Sequence, residues 1–239
     1  FGPDLGATAA LIDQMLTYAA LITLVAGMVG ILGAKRLGRL AAFAAIGSMG
    51  TLLIAIAGFR PETTAAALYY MIHSTLAGAL LFLVVDLVRE RRGSMAGAFL
   101  PGPRMAQHGM IAALFFGSAI ATAGMPPLSG FVGKLLILDA VREMDQVWLI
   151  WGVILSTSLV AILGLGQAGS AIFWKLAPET GDEPTPEPQP ALPLVACFAM
   201  LFGIVALAVL AGPVMSYIEA TAQQLHAPEG YIAAVLNGG

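Results

Sequence analysis

Two ionisable side chains interrupt long uncharged runs of this 239-residue chain, Lys134 and His73. A charged residue near the centre of a bilayer costs about 2.5–3.5 kcal/mol on insertion scales, and such residues usually line ion or proton pathways. An ammonium taken out of water gives up its proton more readily than one in solution, so a buried lysine suits proton exchange. Lys134 ends the run Gly124-Met125-Pro126-Pro127-Leu128-Ser129-Gly130-Phe131-Val132-Gly133-Lys134. The double proline (Pro126, Pro127) and the glycines Gly130 and Gly133 make the kind of helix interruption that marks ion and substrate sites in transporters. The alternative is a lysine close enough to a helix start to snorkel to water. Its own face, with Gly130 and Phe131 before it and Ile137 and Leu138 after, supplies no acid, so any counter-charge comes from another helix or another subunit.

His73 lies in Tyr69-Tyr70-Met71-Ile72-His73-Ser74-Thr75-Leu76. An ordinary pKa of about 6.5 makes a histidine a proton relay at physiological pH, and a packing histidine bonded to a hydroxyl or carbonyl is the competing reading. Ser48, Thr51, Ser118 and Thr122, with Ser156, Thr157 and Ser158, are hydroxyls able to hold water along a proton path. In membrane helices such groups also bond carbonyls or glue helices together. Asp139, Arg142 and Glu143 share a face at helical spacing and read as a water-exposed ion pair. His73, His108 and His226 lack metal-ligand spacing, Cys197 is the single cysteine, and no glycine-rich phosphate loop follows a strand. No metal site, no cofactor and no enzymatic activity are expected.

The elements that must position these groups are membrane helices. With 59% hydrophobic and 10% charged residues and a mean hydropathy of +0.88, the chain has too little polar surface for a soluble globule. The small net charge of −3 and the scarcity of Lys and Arg argue against a nucleic-acid partner. A span needs about 20 helical residues to cross a core of roughly 30 Å. Uncharged windows at residues 14–34, 40–59, 63–85, 146–174 and 188–217 predict five spans, and the uncharged stretch 105–133, cut by Pro126-Pro127, predicts two more, one to about Gly124 and one from near Gly130 that ends among Arg142, Glu143 and Asp145. Residues 178–193, rich in proline and acid, read as a solvated loop between the last two of these seven in chain order. Small residues such as Gly47, Gly50, Gly78 and Gly164 predict close helix packing. Lys35, Arg36 and Arg39 share a side with Arg89, Arg91, Arg92 and Arg104, and the positive-inside rule makes that side cytoplasmic. The chain starts at Phe1 without a secretory signal and is expected to be a piece of a longer polypeptide.

Three segments carry a family likeness: Leu37-Gly38-Arg39-Leu40-Ala41-Ala42-Phe43, the run Tyr69 to Leu76 with Leu80-Leu81-Phe82, and Gly124 to Lys134. They resemble the proton-translocating antiporter family, whose members include Mrp-type cation/proton antiporter subunits and the membrane arm of respiratory NADH:quinone oxidoreductase. The continuation Ala168-Gly169-Ser170-Ala171-Ile172-Phe173-Trp174-Lys175 looks like the D subunits of the Mrp (Pha, Mnh) group. The likeness covers nearly the whole chain, as the second half of such a subunit. It implies that residues 1–239 form one half of an inverted-repeat, all-α polytopic transmembrane bundle. It further implies that Lys134 acts in proton transfer and that His73 belongs to a central polar pathway. Many relatives have lysines at the positions of Gly38 and near Ala77 and Gly78; their absence here leaves the path to His73, hydroxyls and water, and favours the Mrp branch.

The expectation is a proton-translocating subunit of a Na⁺ or K⁺/proton antiporter in a bacterial plasma membrane. Its expected partners are the lipid bilayer, the first half of the subunit and the other subunits of a hetero-oligomeric complex, which would handle the cation. A proton-pumping subunit of an NADH:quinone oxidoreductase or membrane-bound hydrogenase is the alternative, and a non-transporting scaffold fragment is a second.

Overall fold

The computed structural model describes residues 6–102, 104–175, 192–227 and 235. The described residues form eight α-helices: α1 (Gly6–Gly33), α2 (Leu37–Ala57), α3 (Pro61–Arg91), α4 (His108–Ala123), α5 (Ser129–Ala140), α6 (Val147–Gly169), α7 (Leu192–Val209) and α8 (Ala211–His226). A π-helical turn, Ser170–Trp174, continues α6. Long apolar runs become helices because only a helix satisfies every backbone polar group within its own segment when no water is at hand. The surface shows the same solvent: Ile22, Leu155, Leu159, Leu163 and Phe202 point outward. This multi-pass bundle faces hydrocarbon.

Five elements are long and apolar enough to cross a membrane: Leu11–Gly33, Leu37–Ala57, Pro61–Arg91, Val147–Trp174 and Leu192–Val209. The other two of the seven expected spans are shorter. α4 has 16 residues and α5 has 12, about 24 and 18 Å at the helical rise, each less than the roughly 30 Å core. The double proline accounts for the shortening, since neither ring nitrogen can donate the bond that would carry α4 onward. The expected final span also divides, because Pro213 cannot bond the carbonyl four residues back; α7 stops at Val209 and α8 starts at Ala211. α8 lays Val214, Met215 and Ile218 on Ala65, Leu68 and Tyr69 of α3, and the Tyr69 hydroxyl donates to Leu207 O near the break at 2.9 Å. Residues 178–191 of the expected proline-rich loop lie outside the described residues, and its last two positions open α7.

α1 and α2 form a hairpin so close that a Cβ on Gly27 would strike the backbone of Gly47. The segment after α3 docks on the connection between them: Leu37 N–H donates to Gly97 O at 2.8 Å and Phe99 N–H to Lys35 O at 3.1 Å. The buried Arg92 guanidinium secures this segment, donating to the carbonyls of Ala98 and Leu100. Burial holds Arg92 below the usual arginine value. The contact brings the basic group around Lys35 and Arg36 beside that around Arg92. At another junction, Asp13, Arg60, Glu143 and Asp145 line one cavity.

Candidate functional site

The site forms where the run from Gly124 to Lys134 breaks the helix. α4 ends on Gly124, whose left-handed φ of +75° glycine adopts without strain. The N–H groups of Gly124 and Met125 both return to Ile120 O, at 3.1 and 3.0 Å. Pro126 and Pro127 fill the turn with exposed rings, and Ser129 opens α5. A helix terminus leaves carbonyls without intrahelical partners and carries a partial negative charge. One of these, Ala123 O, is taken by Lys134.

Lys134 lies in the second turn of α5 and is 7% exposed. Its Nζ donates to Ala123 O at 2.7 Å and to Ser158 Oγ of α6 at 2.8 Å. Ser158 donates its hydroxyl hydrogen bond to Ile154 O at 2.7 Å, which leaves its oxygen lone pairs free to accept. No carboxylate pairs with Lys134 among the described residues. The side chain therefore runs inward to the α4 terminus, and its partners are neutral oxygens.

His73, 2% exposed, projects from α3 towards the same break. Its Nδ1 lies 2.9 Å from Ser129 Oγ, its Nε2 side faces the backbone of Ala121, and its ring packs on Tyr70 with centroids 5.7 Å apart. The Ser129 hydroxyl can donate to a bare Nδ1 or accept from an Nδ1–H, so the contact serves either neutral tautomer. Gly130 makes the approach possible: a Cβ there would meet Ala121 O and lie 2.8 Å from His73 Nε2. Gly133 likewise gives way to Tyr70. His73 and Lys134 are near enough for their charges to act on each other.

A cavity of about 260 Å³ beside His73 is lined by Ser48, Ser74, Thr75 and Thr122 among mostly apolar neighbours such as Ala44, Met49, Ala77 and Leu81. At about 30 Å³ per water it has room for several. The hydroxyls singled out in the sequence divide. Ser48, Thr51 and Ser118 bond their own helices at Ala45 O, Gly47 O and Phe115 O; Thr122 Oγ1 is buried without a partner among the described residues. Ser48 and Thr122 border the cavity, whereas Thr51 and Ser118 are not among its lining residues. The expected water-exposed ion pair forms between Asp139 and Arg142 at 3.0 Å; Glu143 does not share their face, because α5 stops at Ala140, and pairs with Arg60 at 2.6 Å instead.

Ser129 and Ser158 are the contacts that sequence reasoning undervalued. Ser129 sits directly after the break and could have been marked as a residue opening α5. Ser158 is one of three adjacent hydroxyls, and only the placing of α6 selects it.

Residues 4–160 match the model of the NADH:quinone oxidoreductase/Mrp antiporter transmembrane family. The D subunit of a Na⁺/H⁺ antiporter from Bacillus subtilis is 30% identical over 95% of this chain and 45% of its own length. The D subunit of a probable K⁺/H⁺ antiporter from Rhizobium meliloti is 28% identical over 99% of this chain and 48% of its own. An N subunit of the NADH-quinone oxidoreductase from Symbiobacterium thermophilum is 34% identical over 71% and 35%. Among solved structures, the Mrp complex from a Dietzia species superposes with a TM-score of 0.79 at 22% identity, covering 94% of this chain and 49% of the matched one. The chain spans about half the length of these antiporter relatives.

Proposed function

The chain belongs to the NADH:quinone oxidoreductase/Mrp antiporter transmembrane family, and from that premise we propose that it carries protons within a multi-subunit monovalent cation/proton antiporter of a bacterial plasma membrane. Lys134 is the protonatable switch and His73 the relay before it. The observation that carries this reading is the setting of Lys134: a buried ammonium held by one helix-end carbonyl and one hydroxyl, with no ion-pair partner among the described residues. A buried salt bridge would lock the charge in place. Neutral acceptors steady the ammonium without trapping it.

His73 supplies the second half of the step. Like charges near each other disfavour double protonation, so a proton reaching His73 weakens the hold of Lys134 on its own. The cavity beside His73, where the hydroxyls of Ser48, Thr75 and Thr122 interrupt a mostly apolar wall of Ala41, Ala44, Met49 and Leu81, gives water a place next to the ring. Other subunits are the expected partners, with the basic end facing the cytoplasm and the cation, Na⁺ or K⁺, handled elsewhere in the complex. The curated D-subunit relatives align over 95% and 99% of this chain, which favours the antiporter assignment. The alignment with an NADH-quinone oxidoreductase subunit over 71% of the chain supports a redox-driven proton pump as the second reading.

The test is Lys134→Ala in the complete complex, with cation-dependent proton flux measured in everted vesicles. Loss of at least 90% of the flux is expected at normal subunit levels. Full flux would remove Lys134 from the mechanism and favour a scaffold role.

A further inference from the structure

Ser158 is tied to Lys134 from a different helix, through an oxygen that is already oriented. Its hydroxyl donates to Ile154 O at 2.7 Å, so the lone pairs point away from the α6 backbone and receive the ammonium at 2.8 Å. The register of α6 against α5 does not depend on this contact alone, because Trp151 Nε1 donates to Leu138 O at 3.0 Å. The two acceptors of Lys134 differ in kind. Ala123 O can only accept, whereas a serine hydroxyl both accepts and donates.

We propose that Ser158 is a positioning residue for Lys134, accepting from the charged ammonium and donating to the neutral amine, so that Nζ stays at the α4 terminus in both protonation states. When Lys134 gives up its proton, the serine O–H turns from Ile154 O to the Nζ lone pair. Ile154 O keeps its place in the helix, and no proton passes to the serine. The inference rests on the proton-carrying role proposed for Lys134.

The surroundings of Lys134 favour a visible effect. α3 turns His73 and Tyr70 towards the break, and α4, α6 and α7 contain no Asp, Glu, Lys or Arg. Glu219 of α8 lies farther along α5, in the cavity shared with Leu136 and Asp139. Removing the hydroxyl takes one of two acceptors from the ammonium and disfavours its charged form.

The experiment compares Ser158→Thr with Ser158→Val, two side chains of one shape that differ in the hydroxyl, in the complete complex and across a pH series of cation-dependent proton flux. Thr is expected to keep the wild-type profile. Val is expected to move the limb governed by Lys134 to more acid pH by about one unit, a tenfold change in the protonation equilibrium. Ser158→Ala adds no bulk, is expected to follow Val, and decides the matter alone if the branched variants do not reach the membrane. Coincident Thr and Val profiles, or an Ala profile like wild type, would overturn the role of Ser158 even where Lys134→Ala abolishes flux. Full flux in Lys134→Ala would overturn both readings together.

Discussion

The aliphatic stem of Lys134 occupies the space that a side chain at Gly124 would need: a Cβ there would lie 2.7 Å from Lys134 Cδ and 2.9 Å from Cε. Gly124 also has a φ of +75°, so Gly124→Ala adds backbone strain of about 1 kcal/mol to the collision. The expected result is a roughly tenfold loss of proton flux in everted vesicles, as Nζ is pushed off Ala123 O. Wild-type flux in this variant would show that the seat of Lys134 is not needed for transport.

Gly130→Ala attacks the other side of the break. Its methyl group would enter the space between Ala121 O and the His73 ring, and overpacking of this kind costs about 1–3 kcal/mol. A lower thermal midpoint of the purified complex is expected, together with loss of flux. An unchanged midpoint would mean that α5 moves away from α3 without penalty.

Ser129→Ala leaves Nδ1 of a buried histidine without its hydroxyl at 2.9 Å. An unsatisfied buried polar atom costs about 1–3 kcal/mol. Flux should fall, and Ser129→Thr should recover most of it by keeping the hydroxyl. Equal rates for the two variants would remove Ser129 from the handling of His73.

Two arginines should respond very differently to loss of their contacts. The Arg60–Glu143 pair is exposed, at 39% and 82% of the two side chains, and Glu143→Gln should change stability by less than about 1 kcal/mol. Arg92 is buried and holds the carbonyls of Ala98 and Leu100. Arg92→Ala should loosen the segment that docks on Lys35 and Leu37, seen as faster amide exchange at Leu37 and Phe99. Protection unchanged from wild type at those two amides would count against that role.

Lys134, His73 and the double proline were legible from the sequence because each is an exception: a charge or a helix breaker inside an apolar run. Composition alone indicated a multi-pass helical bundle. The second break at Leu210 was less visible, since Pro213 sits in a window otherwise apolar enough for one continuous span. The seat of Lys134 was not readable, because Ala123 and Ser158 lie 11 and 24 positions away from it, and only the folding back of α4 and α6 brings them together. The partners of Glu143 were hidden for a related reason: helical spacing assigns a face only as far as the helix lasts, and α5 ends at Ala140.

The bond from Lys134 to Ala123 O means that one of the partners of this lysine has no codon of its own. A mutagenesis screen of acidic residues in this chain passes over it, and so does any exchange of the alanine side chain. The group yields only to backbone chemistry. Replacing Gly124 by its α-hydroxy analogue turns the Ala123 carbonyl into an ester, a weaker acceptor, and so weakens the lysine's hold while every side chain stays as it was, at the cost of the Gly124 N–H bond to Ile120 O.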